Sequence, residues 1–441
     1  MQEAVAVVEP AAGQPAGTRV RFGVRRMAFW LAVVTYLDRV CIATAAPFIM
    51  ADLGLTLVEM GLVFSAFTLA YSLFEVPSGW LGDRLGPRRV LTRIVLWWSA
   101  FTMLTGAAQG LRSLVVIRFL FGAGEAGAFP NAVRSFATWF PAHERGMANG
   151  VLFFGSRLGG ALTAPLALVL VRSWGWRRAF VAFGAIGVVW ALAWYRWYRD
   201  RPADHPDVDA AEVAWIQQGQ SLSRALSAPG QAGGEAAAAA PTPWARLLAS
   251  PNLYAICAMY FAFGYGLYFY FTWLPTYLVQ ELGFSAVAGG AFSSLPFVLA
   301  GVANLAGGWT TDRLSRTAGL RHARSTLGAV SFFASAVLTL AAVLIGPPVA
   351  KALLLAFALA SADFALGACW AVCLDVGASH AGVVTGFMNT FGNLGGLVGP
   401  LVVGYMVERW ASWTYPFYIT AAVYVMGAAA WLAVNPHRRI L

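Results

Sequence analysis

The chain has 441 residues, 59% of them hydrophobic and 11% charged, with a formal net charge of +10 and a mean hydropathy of +0.65. Soluble domains carry about 25% charged residues, so the composition excludes a soluble globular protein and indicates an integral membrane protein. Apolar runs of about 20 residues recur without the period-two alternation of barrel strands, which argues for spanning helices and against a membrane β-barrel.

Residues 1–26 form an N-terminal tail with Arg19, Arg21, Arg25 and Arg26 near its end. It lacks a long apolar stretch followed by a small-residue cleavage site, so a cleaved signal peptide is not expected. Six spans are predicted near 27–49, 58–81, 89–108, 112–138, 145–171 and 177–198, making a first bundle over 27–198. A polar, then Ala/Gly/Pro-rich linker follows at 199–250, with a short surface helix near 209–219 and a flexible part around 227–243. Six more spans fall near 252–279, 285–310, 324–346, 348–374, 380–407 and 413–434, a second bundle over 251–434, before a tail at 435–441. The expected fold is all-α: twelve transmembrane helices in two pseudo-symmetric six-helix bundles. Arginines gather before span one, after spans two and eight, and at Arg438 and Arg439. The opposite loops hold fewer, with Arg177 and Arg178 as exceptions. The positive-inside rule then puts both termini and the linker on the cytoplasmic side of the inner (plasma) membrane. The basic excess thus reads as orientation in a lipid bilayer, and no nucleic-acid partner is expected.

The two halves repeat. Gly79-Trp80-Leu81-Gly82-Asp83-Arg84-Leu85 after span two matches Gly308-Trp309-Thr310-Thr311-Asp312-Arg313-Leu314 after span eight. Leu158-Gly159-Gly160 in span five matches Leu394-Gly395-Gly396 in span eleven, so that Arg157 corresponds to Asn393. Duplication around a midplane site is the common plan of secondary transporters. In the loop from Gly79 to Arg89, glycines permit close helix approach and a turn, while Asp83 pairs readily with arginines or a helix N-terminus. A gating latch built from Gly79, Asp83, Arg84, Arg88, Asp312 and Arg313 is one reading; a plain positive-inside anchor is the other.

Ionisable residues occur where lipid disfavours them. Asp38 and Arg39 lie in span one, Arg118 and Glu125 in span four, and Arg157 in span five. A charge at the bilayer centre costs roughly 2.5–3.5 kcal/mol on insertion scales, so such residues face a polar interior. Arg118 and Glu125 are seven residues apart and share one helix face. A guanidinium grips a carboxylate with two hydrogen bonds and stays charged, which suits anion binding. A buried carboxyl is tunable and suits proton exchange. A structural ion-pair network, such as Asp38 with Arg118, is the alternative.

The loop GWLGDRLGPRR resembles the signature of the major facilitator superfamily. Together with YLDRVCIATAAPFI, YSLFEVPSGWLGDRLGPRR, RFLFGAGEAGAFPN, TWLPTYL and HAGVVTGFMNTFGNLGGLVGP it is similar to the anion:cation symporter family. That group includes bacterial sugar-acid carriers of the galactonate type and, more distantly, sialin and the vesicular glutamate transporters. The resemblance implies uptake of organic anions, commonly with protons. It assigns substrate contacts to Tyr36, Arg39, Tyr71 and Arg118, and proton sites to Asp38 and Glu125. Arg157 departs from the pattern: it marks a second carboxylate on the substrate or a strongly acidic one, or else it sits nearer the interface or pairs with Glu75. Glu75 is itself a departure, with pairing or proton exchange open to it.

The second half adds Tyr265, Tyr268 and Phe269 in span seven, Trp370 in span ten, and Asn389 and Asn393 in span eleven. Trp370 and Asn393 are candidates to stack on and hydrogen-bond a sugar-acid chain. Asp363 is a further interior acid with either a structural or a functional part. Cys41, Cys257, Cys369 and Cys373 lie in apolar runs with no histidine near and read as small buried residues. No P-loop, G-x-S-x-G or H-E-x-x-H is present, so neither ATP drive nor enzyme chemistry is expected. The expected function is proton-coupled uptake of a small organic anion, a sugar acid or related hydroxy-carboxylate. It needs no cofactor beyond the proton, works as a monomer, and proceeds by alternating access. Export or exchange of aromatic or amphipathic acids is the alternative. A non-transporting sensor fits poorly, because the linker is too short for a signalling domain.

Overall fold

The computed structural model describes residues 17–141, 144–227, 244–377, 381–438 and 440, and among the described residues there is no strand. The first bundle comprises α1 (Arg21–Leu53), α2 (Leu57–Leu85), α3 (Pro87–Thr105), α4 (Leu111–Glu125), α5 (Ala128–Trp139), α6 (Arg145–Trp174) and α7 (Trp176–Trp197). The linker carries α8 (Ala210–Ser227) and the short α9 (Trp244–Leu248). The second bundle comprises α10 (Pro251–Thr272), the one-turn α11 (Leu274–Thr276), α12 (Ala286–Thr317), α13 (Leu327–Leu344), α14 (Pro348–Phe364), α15 (Leu366–Gly377), α16 (Ala381–Trp410) and α17 (Thr414–Ala433). Spans four and ten are each broken midway. α4 and α5 together make span four, and α14 and α15 together make span ten.

Eleven of the described spans are long and apolar enough to cross a membrane. The twelfth, α3, opens with Arg88, Arg89 and Arg93 and is held in the ring by packing along α7 and α4. Within each bundle the neighbours are close. α1 lies against α6 and α2 against α4 in the first; α10 lies against α16 and α13 against α17 in the second. The closest of these approaches needs glycine: a Cβ on Gly264 would lie 1.9 Å from the carbonyl oxygen of Gly392. Small residues at such contacts supply the van der Waals packing that drives helix association in lipid.

The bundles meet along two pseudo-symmetric seams, α2 with α16 and α6 with α12. One end of the seams is sealed. A Cβ on Gly61 would meet the Pro400 carbonyl oxygen at 2.8 Å, and one on Gly404 the Leu57 carbonyl oxygen at 2.6 Å. The Val58 N–H donates to Glu408 Oε2 across the seam at 2.9 Å, an anion at a helix N-terminus. Ser65 Oγ donates to the Leu397 carbonyl at 2.7 Å, and Ser294 Oγ donates to the Ala161 carbonyl. Toward the other end, which carries the described chain ends, the seam loosens: a Cβ on Gly150, Gly308 or Gly386 would meet nothing within 4 Å.

The linker helix is longer than the sequence indicates and is clasped to the start of α1. Glu212 accepts from Thr18 Oγ1 at 2.8 Å, from the Val20 and Arg21 N–H groups at 3.0 Å each, and from Arg21 Nη1 at 3.2 Å. Asp209, just before α8, accepts from the Glu212 and Thr18 N–H groups at 2.8 and 2.9 Å. Those bonds hold its carboxyl below the ordinary aspartate value.

Candidate functional site

Between the bundles, at mid-depth, lies a cavity of about 180 Å³. That is below the range of pockets for drug-sized ligands, and it matches a small molecule. The first bundle lines it with Tyr36 and Arg39 of α1, Tyr71 and Glu75 of α2, and Arg157 of α6. The second lines it with Tyr260 and Tyr268 of α10, Asn304 of α12, Trp370 of α15, and Asn389 and Asn393 of α16.

Asp38 and Arg39 are neighbours in sequence and part company in space, because successive helical residues point about 100° apart. Arg39 enters the cavity wall. Its Nε donates to Glu125 Oε1 at 2.9 Å, and its Nη2 bonds the same oxygen. Aromatic rings surround the guanidinium, with centroids at 5.0 Å for Tyr36, 5.1 Å for Phe67 and 4.9 Å for Tyr71. These contacts favour a cation there by about 0.5–2 kcal/mol each. Glu125 is fully buried in the last turn of α4, and its Oε2 has no partner. Asp38 turns away and accepts from Trp98 Nε1 of α3 at 3.0 Å; its Oδ1 has no partner. It is not a cavity-lining residue.

Arg118 corrects the expectation of direct substrate contact in this conformation. It shares a face with Glu125 as the spacing predicts, yet it does not line the cavity. Its guanidinium lies over Phe121 at 4.5 Å and Phe67 at 5.1 Å. It is only 2% exposed and stands within electrostatic reach of Asp38, Glu125 and Arg39. Arg39, which does line the cavity, and Glu125 are the charged neighbours it shares with the site.

The pairing of Arg157 also differs from expectation. Its Nη2 donates to Asp363 Oδ1 of α14, across the seam between the bundles. Glu75 instead accepts from Asn389 Nδ2 at 2.9 and 2.8 Å and from Asn393 Nδ2 at 3.5 Å, also across the seam. Asn393 and Arg157, equivalent positions of the repeat, therefore both line the cavity from opposite bundles. Of the span-seven aromatics, Tyr268 lines the cavity, while Tyr265 and Phe269 do not. Tyr260 and Asn304 are cavity residues the sequence reading missed. Asn304 carried a signal, as a lone amide in the apolar run FVLAGVANLAGG.

The latch residues divide. The surroundings of Gly79 and the side chains of Asp83, Arg84 and Asp312 lie outside the described residues. Arg88 donates from Nε and Nη2 to the Tyr195 carbonyl at 3.0 and 2.8 Å, and its N–H donates to Asp200 Oδ1 at 2.9 Å. These bonds tie α3 to the end of α7 within one bundle. Arg313 lies over the Trp309 ring at 5.3 Å, also within its own bundle.

Among the described residues, the cavity and its immediate surroundings thus hold three guanidiniums, Arg39, Arg118 and Arg157, and four carboxyls, Asp38, Glu75, Glu125 and Asp363. Each acid the cavity shares with an arginine sits at a helix break: Glu125 ends α4, and Asp363 lies in the last turn of α14. Broken helices at mid-depth are a common way for transporters to bring charge to a binding site.

Comparison with known proteins places this architecture. A family model described as Major Facilitator Superfamily matches residues 28–400. A probable sulfoacetate transporter of Cupriavidus necator is 37% identical over 404 residues, covering 91% of each chain. A D-galactonate transporter of Escherichia coli is 32% identical over 419 residues, covering 94% of this chain and 95% of that one. The solved structure of a bacterial homologue of the human lysosomal transporter Spinster, inward-facing and unoccupied, matches with a TM-score of 0.77. It covers 95% of this chain and 98% of that one at 17% identity, a likeness of fold alone.

Proposed function

This chain belongs to the Major Facilitator Superfamily, and from that premise we propose that it is a secondary active transporter of a small organic anion. The anion is a sugar acid or related hydroxy-carboxylate, taken up together with protons. The observation that carries the reading is the Arg39–Glu125 pair, a cavity-lining guanidinium held by a buried carboxylate. Without substrate, Glu125 occupies the donors that a substrate carboxylate needs. A proton on Glu125 weakens its hold and frees Arg39 for a two-bond grip on the anion. Proton and anion then favour each other's binding, which is symport in thermodynamic terms.

The charge count points the same way. With all groups ionised, three arginines and four carboxyls leave the interior at −1. An incoming anion raises that to −2 unless protons accompany it, and unpaired charge in a low-dielectric interior is costly. Asp38 is the second proton site in this reading; it adjoins Arg39 in α1 and lies within electrostatic reach of Arg118 and Glu125 of α4, outside the cavity wall. Tyr36, Tyr71 and Trp370 form the wall for the carbon chain, and Asn393 and Asn389 bond its hydroxyls. The relatives named for sulfoacetate and D-galactonate support an organic acid as cargo. The protein works as a monomer in the inner membrane with both termini cytoplasmic, so the open end of the cavity faces the cytoplasm. Rocking of the bundles about the seams exchanges the open and sealed ends.

Uptake into proteoliposomes under an imposed pH gradient, with membrane potential clamped, tests the reading. Accumulation of a sugar acid that collapses when the gradient is dissipated is the expected result. Accumulation that ignores the gradient overturns the coupling, and no transport of any organic acid overturns the function.

A further inference from the structure

We propose that Arg157, with Asp363 as its tether, is a second anion subsite, so that the preferred substrates are dianions whose two acidic ends reach Arg39 and Arg157. This deepens the organic-anion reading and rests on it. Arg157 lines the cavity with its side chain 11% exposed. Its Nη2 is taken by Asp363, while Nη1 is buried without a hydrogen-bond partner. A guanidinium donor left unbonded inside a cavity wall is an anion site waiting for an acceptor, since a buried unmet donor carries its full desolvation penalty.

The Arg157–Asp363 pair is built like the first one. Arg39 pairs with an acid at the break in span four, and Arg157 with an acid at the break in span ten, the corresponding position of the repeat. Both acids keep one oxygen without a partner, Glu125 Oε2 and Asp363 Oδ2. The two pairs differ in reach: the Arg39 pair lies within the first bundle, and the Arg157 pair joins the two bundles. A substrate holding both arginines therefore sits between the bundles. A monoanion satisfies Arg39 and leaves Arg157 Nη1 unmet. The second acidic end, carboxylate or sulfonate, supplies that acceptor. Asp363 competes for the same guanidinium and thereby tunes the affinity of the subsite.

The test is equilibrium binding to the detergent-purified full-length protein by calorimetry, using matched pairs: glucarate against gluconate, and sulfoacetate against acetate. For at least one pair the dianion should bind tighter by about tenfold or more, the worth of one charged hydrogen bond. Arg157→Gln should erase that preference, the dianion then binding no tighter than its matched monoanion. Arg157→Lys should keep part of it, which separates loss of the subsite from loss of fold. Asp363→Asn removes the competing charge and should tighten dianion binding relative to that of the matched monoanion. Equal affinity of wild type for both members of every pair overturns the subsite while leaving the organic-anion reading intact. A preference that survives Arg157→Gln does the same. If no acid of either class binds, both fall together.

Discussion

Replacing Gly404 with Ala should shift the protein away from the conformation described. In this structure the new Cβ would lie 2.6 Å from the Leu57 carbonyl oxygen. Ordinary contact begins near 3.4 Å, so α2 and α16 must separate by 3.4 − 2.6 = 0.8 Å at the sealed end. The obstacle is backbone and cannot rotate away. Overpacking of this kind costs about 1–3 kcal/mol. The gain in helix propensity from Gly to Ala, about 1 kcal/mol, is present in both conformations and cancels. The clash exists only where the seam is closed, so the population ratio should move by about 5- to 150-fold toward the state with that end open. The bond from Val58 N–H to Glu408 Oε2 opposes this shift, and Glu408→Gln should add to it. Spin labels at the exposed Ala51 and Val287, on either side of the sealed end, read the outcome as a lengthened distance distribution. An unchanged distribution in a folded Gly404→Ala protein would refute the claim that this contact seals the seam.

Other consequences are equally direct. Arg39→Ala removes two charged hydrogen bonds to the substrate, each worth about 1.5–3 kcal/mol, so affinity measured by calorimetry should fall by about 100-fold or more; wild-type affinity would show that Arg39 does not touch substrate. Asp38→Asn keeps an acceptor for Trp98 Nε1 and removes the charge, so substrate binding should persist while gradient-driven accumulation stops. Loss of the folded protein instead would make Asp38 a structural residue. Gly264→Ala forces a Cβ to within 1.9 Å of the Gly392 carbonyl oxygen, so its thermal melting in detergent should drop well below wild type, with an unchanged melt counting against the tight α10–α16 contact.

Much of this was legible in the sequence because lipid leaves few solutions. The apolar runs gave the spans to within a few residues: the run near 145–171 is α6 at Arg145–Trp174. The larger departures are at the ends that carry the charged segments: α1 starts at Arg21 rather than near 27, and the runs near 58–81 and 285–310 continue through the loop motif to Leu85 in α2 and Thr317 in α12. The charges inside the runs led to the cavity for the same reason, since an arginine in a span must find an acid. What composition could not supply was the partner. Seven residues separate Arg118 from Glu125 on one face of α4, yet Arg39 of another helix takes Glu125, and two phenylalanines cover Arg118. Glu75 and Arg157 are both interior, and each pairs across the seam with the second bundle, a register set by how the bundles meet. The helix breaks were equally hidden. Nothing in the run LLLAFALASADFALGACWAV marks an interruption after Phe364, whereas in span four the glycines around Glu125 give a hint.

In the proposed cycle, protonation of Glu125 hands Arg39 from an internal carboxylate to the substrate. Glu125→Gln, assayed in proteoliposomes for both counterflow and gradient-driven accumulation, tests it most directly. The variant should exchange labelled for unlabelled substrate across the membrane, because Arg39 is already free, and a pH gradient should no longer drive accumulation. Accumulation that still follows the pH gradient in Glu125→Gln would contradict it.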